Sequence, residues 1–196
     1  MSKIAEDTLV DRDVLIVGSG SAGLSAALRA AAGGLSVRVF EKTSMIGGTS
    51  AMSGAGTWIP ANHHARKAGL SDSVADAIAY LRAASPESWR SEEDELWAAF
   101  AREAPRTLEF IEQYTPLRFA LTKEPDVMPE RPGGKSVGRM LSPRPLSRRI
   151  VGTLASSIRR STLPHLFTYQ EVFDDDLYHN PIGTVLRLTP VSCGDY

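Results

Sequence analysis

The chain has 196 residues, the length of one domain or slightly more, and is 42% hydrophobic and 23% charged. These proportions exclude a wholly disordered, collagen-like or disulfide-scaffold protein. A net charge of −1 lacks the basic excess of a polyanion binder, and a single cysteine, Cys193, excludes an internal disulfide or a multi-cysteine zinc site.

Residues 1–13 are polar and acidic, without the basic and then apolar order of a secretory signal. The longest low-polarity stretch, residues 18–34, is interrupted by Gly, Ser and Arg29, so no membrane span is expected and a cytoplasmic setting is the default. Val14-Leu15-Ile16-Val17 is a continuous apolar run stopped by Gly18, the pattern of a parallel strand buried on both faces. Residues 21–32 are rich in alanine, the strongest helix former, and Gly33-Gly34 ends that helix. Val37-Arg38-Val39-Phe40 is a second strand, which completes a βαβ unit. The fold class is therefore α/β, with a Rossmann-like start.

Residues 45–59 are rich in Gly, Ser and Thr and predict a loop. Ser71 or Ser73 can cap a helix running to about Ala84, with Pro86 beyond its end. Ser91 to Asp94 has capping-box spacing ahead of a helix bearing Leu96, Trp97, Phe100, Leu108 and Ile111, which Pro105 can kink. Trp89 and Trp97 read as helix packing. Proline is dense over residues 116–145, where regular structure is not expected. Residues 131–160 hold eight Lys or Arg and no acid, which predicts a solvated basic face or a contact with an anionic cofactor or substrate. Without interleaved aromatics this stretch does not predict a nucleic-acid surface.

Gly18-Ser19-Gly20-Ser21-Ala22-Gly23 fits G-x-G-x-x-G between a strand and a helix. Gly18 permits the tight turn, Gly20 lets backbone amides approach a pyrophosphate, and Gly23 lets the helix pack close to the sheet. Ser21 and Ala22 open the helix, whose unpartnered first amides favour an anion by roughly 0.3–2 kcal/mol. Glu41, 18 residues after Gly23, can accept hydrogen bonds from both ribose hydroxyls and would repel the 2′-phosphate of NADP. Lys42 follows it. Gly48, Thr49, Ser50, Ser53 and Gly54 then offer bare amides and hydroxyls to an extended cofactor.

Residues 13–23, Glu41-Lys42 and Gly47-Gly48-Thr49-Ser50-Ala51-Met52-Ser53-Gly54 resemble the fumarate reductase/succinate dehydrogenase flavoprotein superfamily. Within it they are most similar to the 3-ketosteroid Δ1-dehydrogenase branch. Trp58-Ile59-Pro60-Ala61-Asn62-His63-His64 is similar to that branch's segment after the second Gly motif. Pro129-Glu130-Arg131-Pro132-Gly133-Gly134, with Gly138-Arg139, is similar to its Pro-Glu-x-Pro-Gly-Gly segment.

The resemblance implies FAD, and noncovalent FAD, because Gly48 falls near the position of the flavin-linking His of the succinate dehydrogenase branch. It implies dehydrogenation or reduction of a carbon–carbon bond beside a carbonyl in a small-molecule substrate, steroid-like or dicarboxylate-like. A base would take the α-proton while hydride passes to the flavin. Where the steroid branch has a Tyr-rich segment, residues 124–130 have none, and Val127 cannot transfer a proton. Members of the family are far longer, so the chain is expected to be an N-terminal fragment, with most catalytic residues beyond Tyr196. The implied division is 1–60, the first half of the FAD-binding domain; 61–145, a mainly helical extension; and 146–196, the start of an incomplete cap domain. Readings of another class are a non-catalytic nucleotide-binding remnant and an NAD-dependent dehydrogenase module.

No residue is assigned a catalytic role, no metal site is expected, and the oligomeric state is not set by the sequence. His63-His64 reads as a polar loop without a flanking Asp, Glu or Cys. Asp174-Asp175-Asp176 lacks calcium-loop spacing. Tyr114, Tyr169, Tyr178 and Tyr196 could supply a phenol, but nothing in the sequence activates one.

Overall fold

Three elements with purely local causes build the first of two units. The computed structural model describes residues 11–161, of which 11–53 and 151–161 form one unit and 54–150 the other. The sequence reading instead divides the chain at 60 and 145. Cys193, Asp174-Asp175-Asp176, Tyr169, Tyr178 and Tyr196 lie outside the described residues.

In the first unit β1 (Val14–Val17) and β2 (Val37–Phe40) are parallel, with Val14 opposite Val37 and Val17 opposite Phe40. The helix α1 (Ser21–Ala32) joins them. Asp13 ties the two strand starts together: its Oδ2 accepts from Ser36 N–H at 2.8 Å and Ser36 Oγ at 2.7 Å. The helix ends in a Schellman motif. Gly34, at φ +84°, donates to the Ala31 carbonyl, and Leu35 donates to that of Ala30. Ile46 bridges in parallel to Ile158, donating to Ser157 O and accepting from Arg159 N–H.

Burial of β1 on both faces does not hold. Ile16 is buried against α1, whereas Leu15 and Val17 are exposed, as is Phe40, the partner of Val17 on β2. A single crossover helix covers one face of a two-stranded sheet, and side chains alternate across it.

In the second unit β3 (Thr57–Trp58), β4 (Phe119–Leu121) and β5 (Met140–Pro143) form an antiparallel sheet in the order β3-β5-β4. Its helices are α2 (His63–Lys67), α3 (Val74–Ala84) and α4 (Arg90–Tyr114). Ile59, Leu108, Phe119 and Leu141 make its core. Two strands thus arise in the proline-dense stretch. Pro143 is accommodated at the last position of β5.

Ser73 caps α3 through Asp76 N–H. The capping box at Ser91 is not used: Pro86 opens a 3-10 turn over Glu87–Trp89 that runs directly into α4, so the backbone is already wound before Ser91. The helix continues through Pro105, which forgoes its own N–H bond to Ala101. Trp89 is exposed rather than packed.

The solvated basic face is corrected at Arg139, which is almost wholly buried between Asp72 and Asp126. Arg139 Nη2 lies 2.7 Å from Asp72 Oδ1, and Nη1 lies 2.8 Å from Asp126 Oδ2. Trp58 Nε1 donates to Asp126 Oδ1, and the Arg139 guanidinium lies 5.3 Å from the Trp58 ring and 5.5 Å from the Tyr80 ring. The Pro129–Gly134 turn docks on α3 so closely that a Cβ on Gly133 would come 2.2 Å from Asp76 O.

Among the described residues no helix is long and apolar enough to cross a membrane.

Candidate dinucleotide-binding site

Most of the residues singled out in the sequence meet inside the first unit. Gly18 takes φ +93° and donates its N–H to Phe40 O at 2.7 Å, so the chain turns sharply out of β1. Gly20 is the N-cap of α1 and has no side chain to cap it. The first helical amides have no partner within the helix; that of Ser21 donates to Ser50 Oγ at 3.1 Å. A Cβ on Gly23 would stand 2.1 Å from the Gly18 carbonyl oxygen, so α1 meets the strand end at a distance only glycine permits.

Gly47 and Gly48 both take positive φ, +105° and +55°. They fold the 47–50 turn back onto the first motif, and a Cβ on Gly48 would lie 3.4 Å from Gly20 Cα. A Cβ on Gly20 itself would meet nothing nearer than Ser50 Oγ at 3.8 Å. The packing of the fold therefore does not itself require glycine at position 20. Thr49 stands at the N-cap position of a short 3-10 turn over Ser50–Met52 without a side-chain cap, and Ser53 closes the turn by donating its N–H to Ser50 O. Lys42 is exposed beside Glu41. Gly54 is the first residue of the second unit.

The arrangement depends on Ser19, which occupies an unspecified position of the motif and was not singled out by it. Ser19 N–H and Oγ donate to Glu41 Oε2 at 3.1 and 2.6 Å, and Gly47 N–H donates to Ser19 Oγ at 2.8 Å. Glu41 Oε1 accepts from Thr43 N–H at 3.1 Å. Ser19 thus links the acid, the first Gly turn and the second. The only sequence signal for it is a small hydroxyl between the two glycines, together with an acid at the end of the next strand.

The hydroxyl of Ser19, followed by the amides of Thr43 and Ser19, holds the Glu41 carboxyl down to about 2. The folded value lies below the unfolded one. What these bonds contribute is therefore fully present above the ordinary carboxylate range and is lost as pH falls through about 2. Ser19→Ala should return the Glu41 titration midpoint toward the ordinary value, read by carboxyl NMR; a midpoint left near 2 would contradict the clamp.

In the second unit His63 and His64 do have an acidic partner, one 48 residues from His64. Glu112 lies 2.9 Å from His63 Nε2 and 3.0 Å from His64 Nε2. Burial, then the neighbouring His64, pushes the His63 imidazole below its usual value against the pull of Glu112.

Residues 13–181 match the FAD binding domain family. The chain is 40% identical over 164 residues to 4-oxocyclohexanecarboxylate 2-dehydrogenase of Sinomonas cyclohexanicum, covering 83% of this chain and 28% of that protein. It is 38% identical over 146 residues to 3-oxosteroid 1-dehydrogenase of Mycobacterium tuberculosis, covering 74% of this chain and 25% of that one. Among solved structures it resembles 3-ketosteroid delta1-dehydrogenase from Sterolibacterium denitrificans, in complex with 1,4-androstadiene-3,17-dione. The TM-score there is 0.72 at 31% identity, over 82% of this chain and 29% of that chain. The chain thus spans between a quarter and a third of the length of these relatives. The geometry of the Gly turns and these matches lead to one conclusion: the chain belongs to the FAD binding domain family, whose cofactor is FAD.

Proposed function

We propose that this chain supplies the ADP-gripping part of an FAD-dependent dehydrogenase that acts on a carbon–carbon bond beside a ring ketone in a small-molecule substrate. The observation that carries the reading is the joining of the 18–23 turn, Glu41 and the 47–50 turn through Ser19 within one unit. The N-terminus of α1, opened by Gly20 without a side-chain cap, suits a pyrophosphate held by backbone amides. Gly18, Gly20, Ser21, Ala22 and Gly23 would hold the diphosphate together with Gly48, Thr49 and Ser50. Glu41 would hold the adenosine ribose, with Lys42 at the rim. Ser53 and Gly54 would continue the chain along the extended cofactor.

When bound, the flavin supplies the hydride acceptor. The chain's own part is to bind and orient, and none of its described residues is assigned to proton transfer. The ring ketone follows from the relatives, whose names specify oxocyclohexane and oxosteroid compounds.

Flavin fluorescence titration of the purified chain tests the reading. FAD should bind, ADP should compete, and Glu41→Ala should weaken both by roughly tenfold or more. FAD affinity unchanged by Glu41→Ala would contradict the ribose role.

A further inference from the structure

The cluster of His63, His64 and Glu112 is used by nothing in the dinucleotide site. We propose that His63 Nε2, His64 Nε2 and a Glu112 carboxylate oxygen form a three-ligand site for a divalent transition-metal ion of the zinc class. Imidazole nitrogen and carboxylate oxygen are zinc donors, and three protein ligands leave a fourth position open. Each of the three residues offers a donor atom, and these atoms lie within 4.8 Å of one another. Ligands at about 2.0–2.1 Å from a tetrahedral zinc are about 3.3 Å apart. Glu112 Oε2 lies 2.9 Å from His63 Nε2 and 3.2 Å from His64 Nε2, so these two contacts would widen by a few tenths of an ångström to admit an ion.

The donors are held in place before any ion arrives. Asn62 is the N-cap of α2: its Oδ1 accepts Ala65 N–H, and its buried amide donates to Ile59 O and Gly138 O, each at 2.7 Å. That fixes the first turn of α2, which carries both imidazoles. Glu112 is fixed from α4 by Phe119 N–H, which donates to its Oε1 at 2.8 Å.

A separate observation also points to a ligand. His63 Nδ1 is buried without a hydrogen-bond partner, and Glu109 Oε1 stands 3.9 Å away. A metal-bound histidine commonly donates its other ring N–H to a carboxylate. Metal at Nε2 would place the proton on Nδ1, and the half-exposed Glu109, three residues before Glu112 on α4, could close onto it. Lys67 adds a nearby positive charge, which Glu109 and Glu112 together outweigh.

The test uses the untagged chain, stripped with EDTA and titrated with Zn2+ by calorimetry, with Co2+ as a visible-absorption probe of tetrahedral geometry. Glu112→Gln keeps an acceptor for Phe119 N–H, and His63→Gln carries the test if that variant fails to fold. Thermal melts in EDTA establish which variants fold. The chain should bind one Zn2+ that these substitutions weaken by more than the roughly 10–100-fold of a lost outer partner, and Glu109→Gln should weaken it within that range. Absence of binding at about millimolar Zn2+, or binding that Glu112→Gln and His63→Gln leave unchanged, would overturn the site and leave the cluster a hydrogen-bonded triad only.

Discussion

Arg139→Met should destabilise the chain by about 3–5 kcal/mol, the cost of leaving buried carboxylates without their counter-charge. Asp72 and Asp126 are almost wholly buried, as is Arg139 itself. Every oxygen of the two carboxylates is already committed. Asp72 Oδ2 accepts from Ala61 N–H and Arg139 Nε, and Oδ1 accepts from Ser73 N–H and Arg139 Nη2. Asp126 accepts from Trp58 Nε1 on Oδ1, and from Lys135 N–H and Arg139 Nη1 on Oδ2. Without the guanidinium, two negative charges stay in a site water cannot reach. A loss of this size is a large part of the stability of an ordinary domain.

Urea unfolding read by tryptophan fluorescence measures the effect. Lys135→Met, which breaks the more exposed pair with Asp76, should cost about 1 kcal/mol or less. Equal costs for the two variants would contradict the hub. Adding Asp72→Asn and Asp126→Asn to Arg139→Met should recover much of the loss, because the penalty lies in the unpaired charge.

Gly23→Ala should cost about 1–3 kcal/mol and weaken ADP binding as well. The added methyl would sit 2.1 Å from Gly18 O and 3.4 Å from Ile16 Cγ2, so α1 must back away from the end of β1. That movement displaces the amides on which the diphosphate is proposed to sit. Gly20→Ala separates packing from binding: its methyl meets only Ser50 Oγ at 3.8 Å. Its melting temperature should therefore match that of the parent while ADP affinity falls. A Gly23→Ala chain as stable as the parent would show that the helix can yield there at no cost.

These contrasts also separate what was legible in the sequence from what was not. The bounds of β1, α1 and β2 could be read directly because their causes are local: an apolar run, an alanine-rich stretch and glycines at both ends. The Gly18 and Gly23 roles were legible for the same reason. Arg139 was not, because its partners lie 67 and 13 residues away and a one-sided run of positive charge reads as surface. His63-His64 misled similarly, since Glu112 reaches them from another helix. The strands β4 and β5 were hidden by the prolines around them; the one proline inside either strand, Pro143, is the last residue of β5. Exposure of Leu15 and Val17 could not be read from β1 alone, since an apolar run does not say what covers each face.

The most direct test of the nucleotide cradle is amide NMR of the chain titrated with ADP. The account predicts the largest shifts at Gly18, Gly20, Ser21, Ala22, Gly23, Glu41 and Gly48, with Ser19 moving as its bond to Glu41 is rearranged. Shifts confined to residues outside the first unit, or none at saturating ADP, would contradict it.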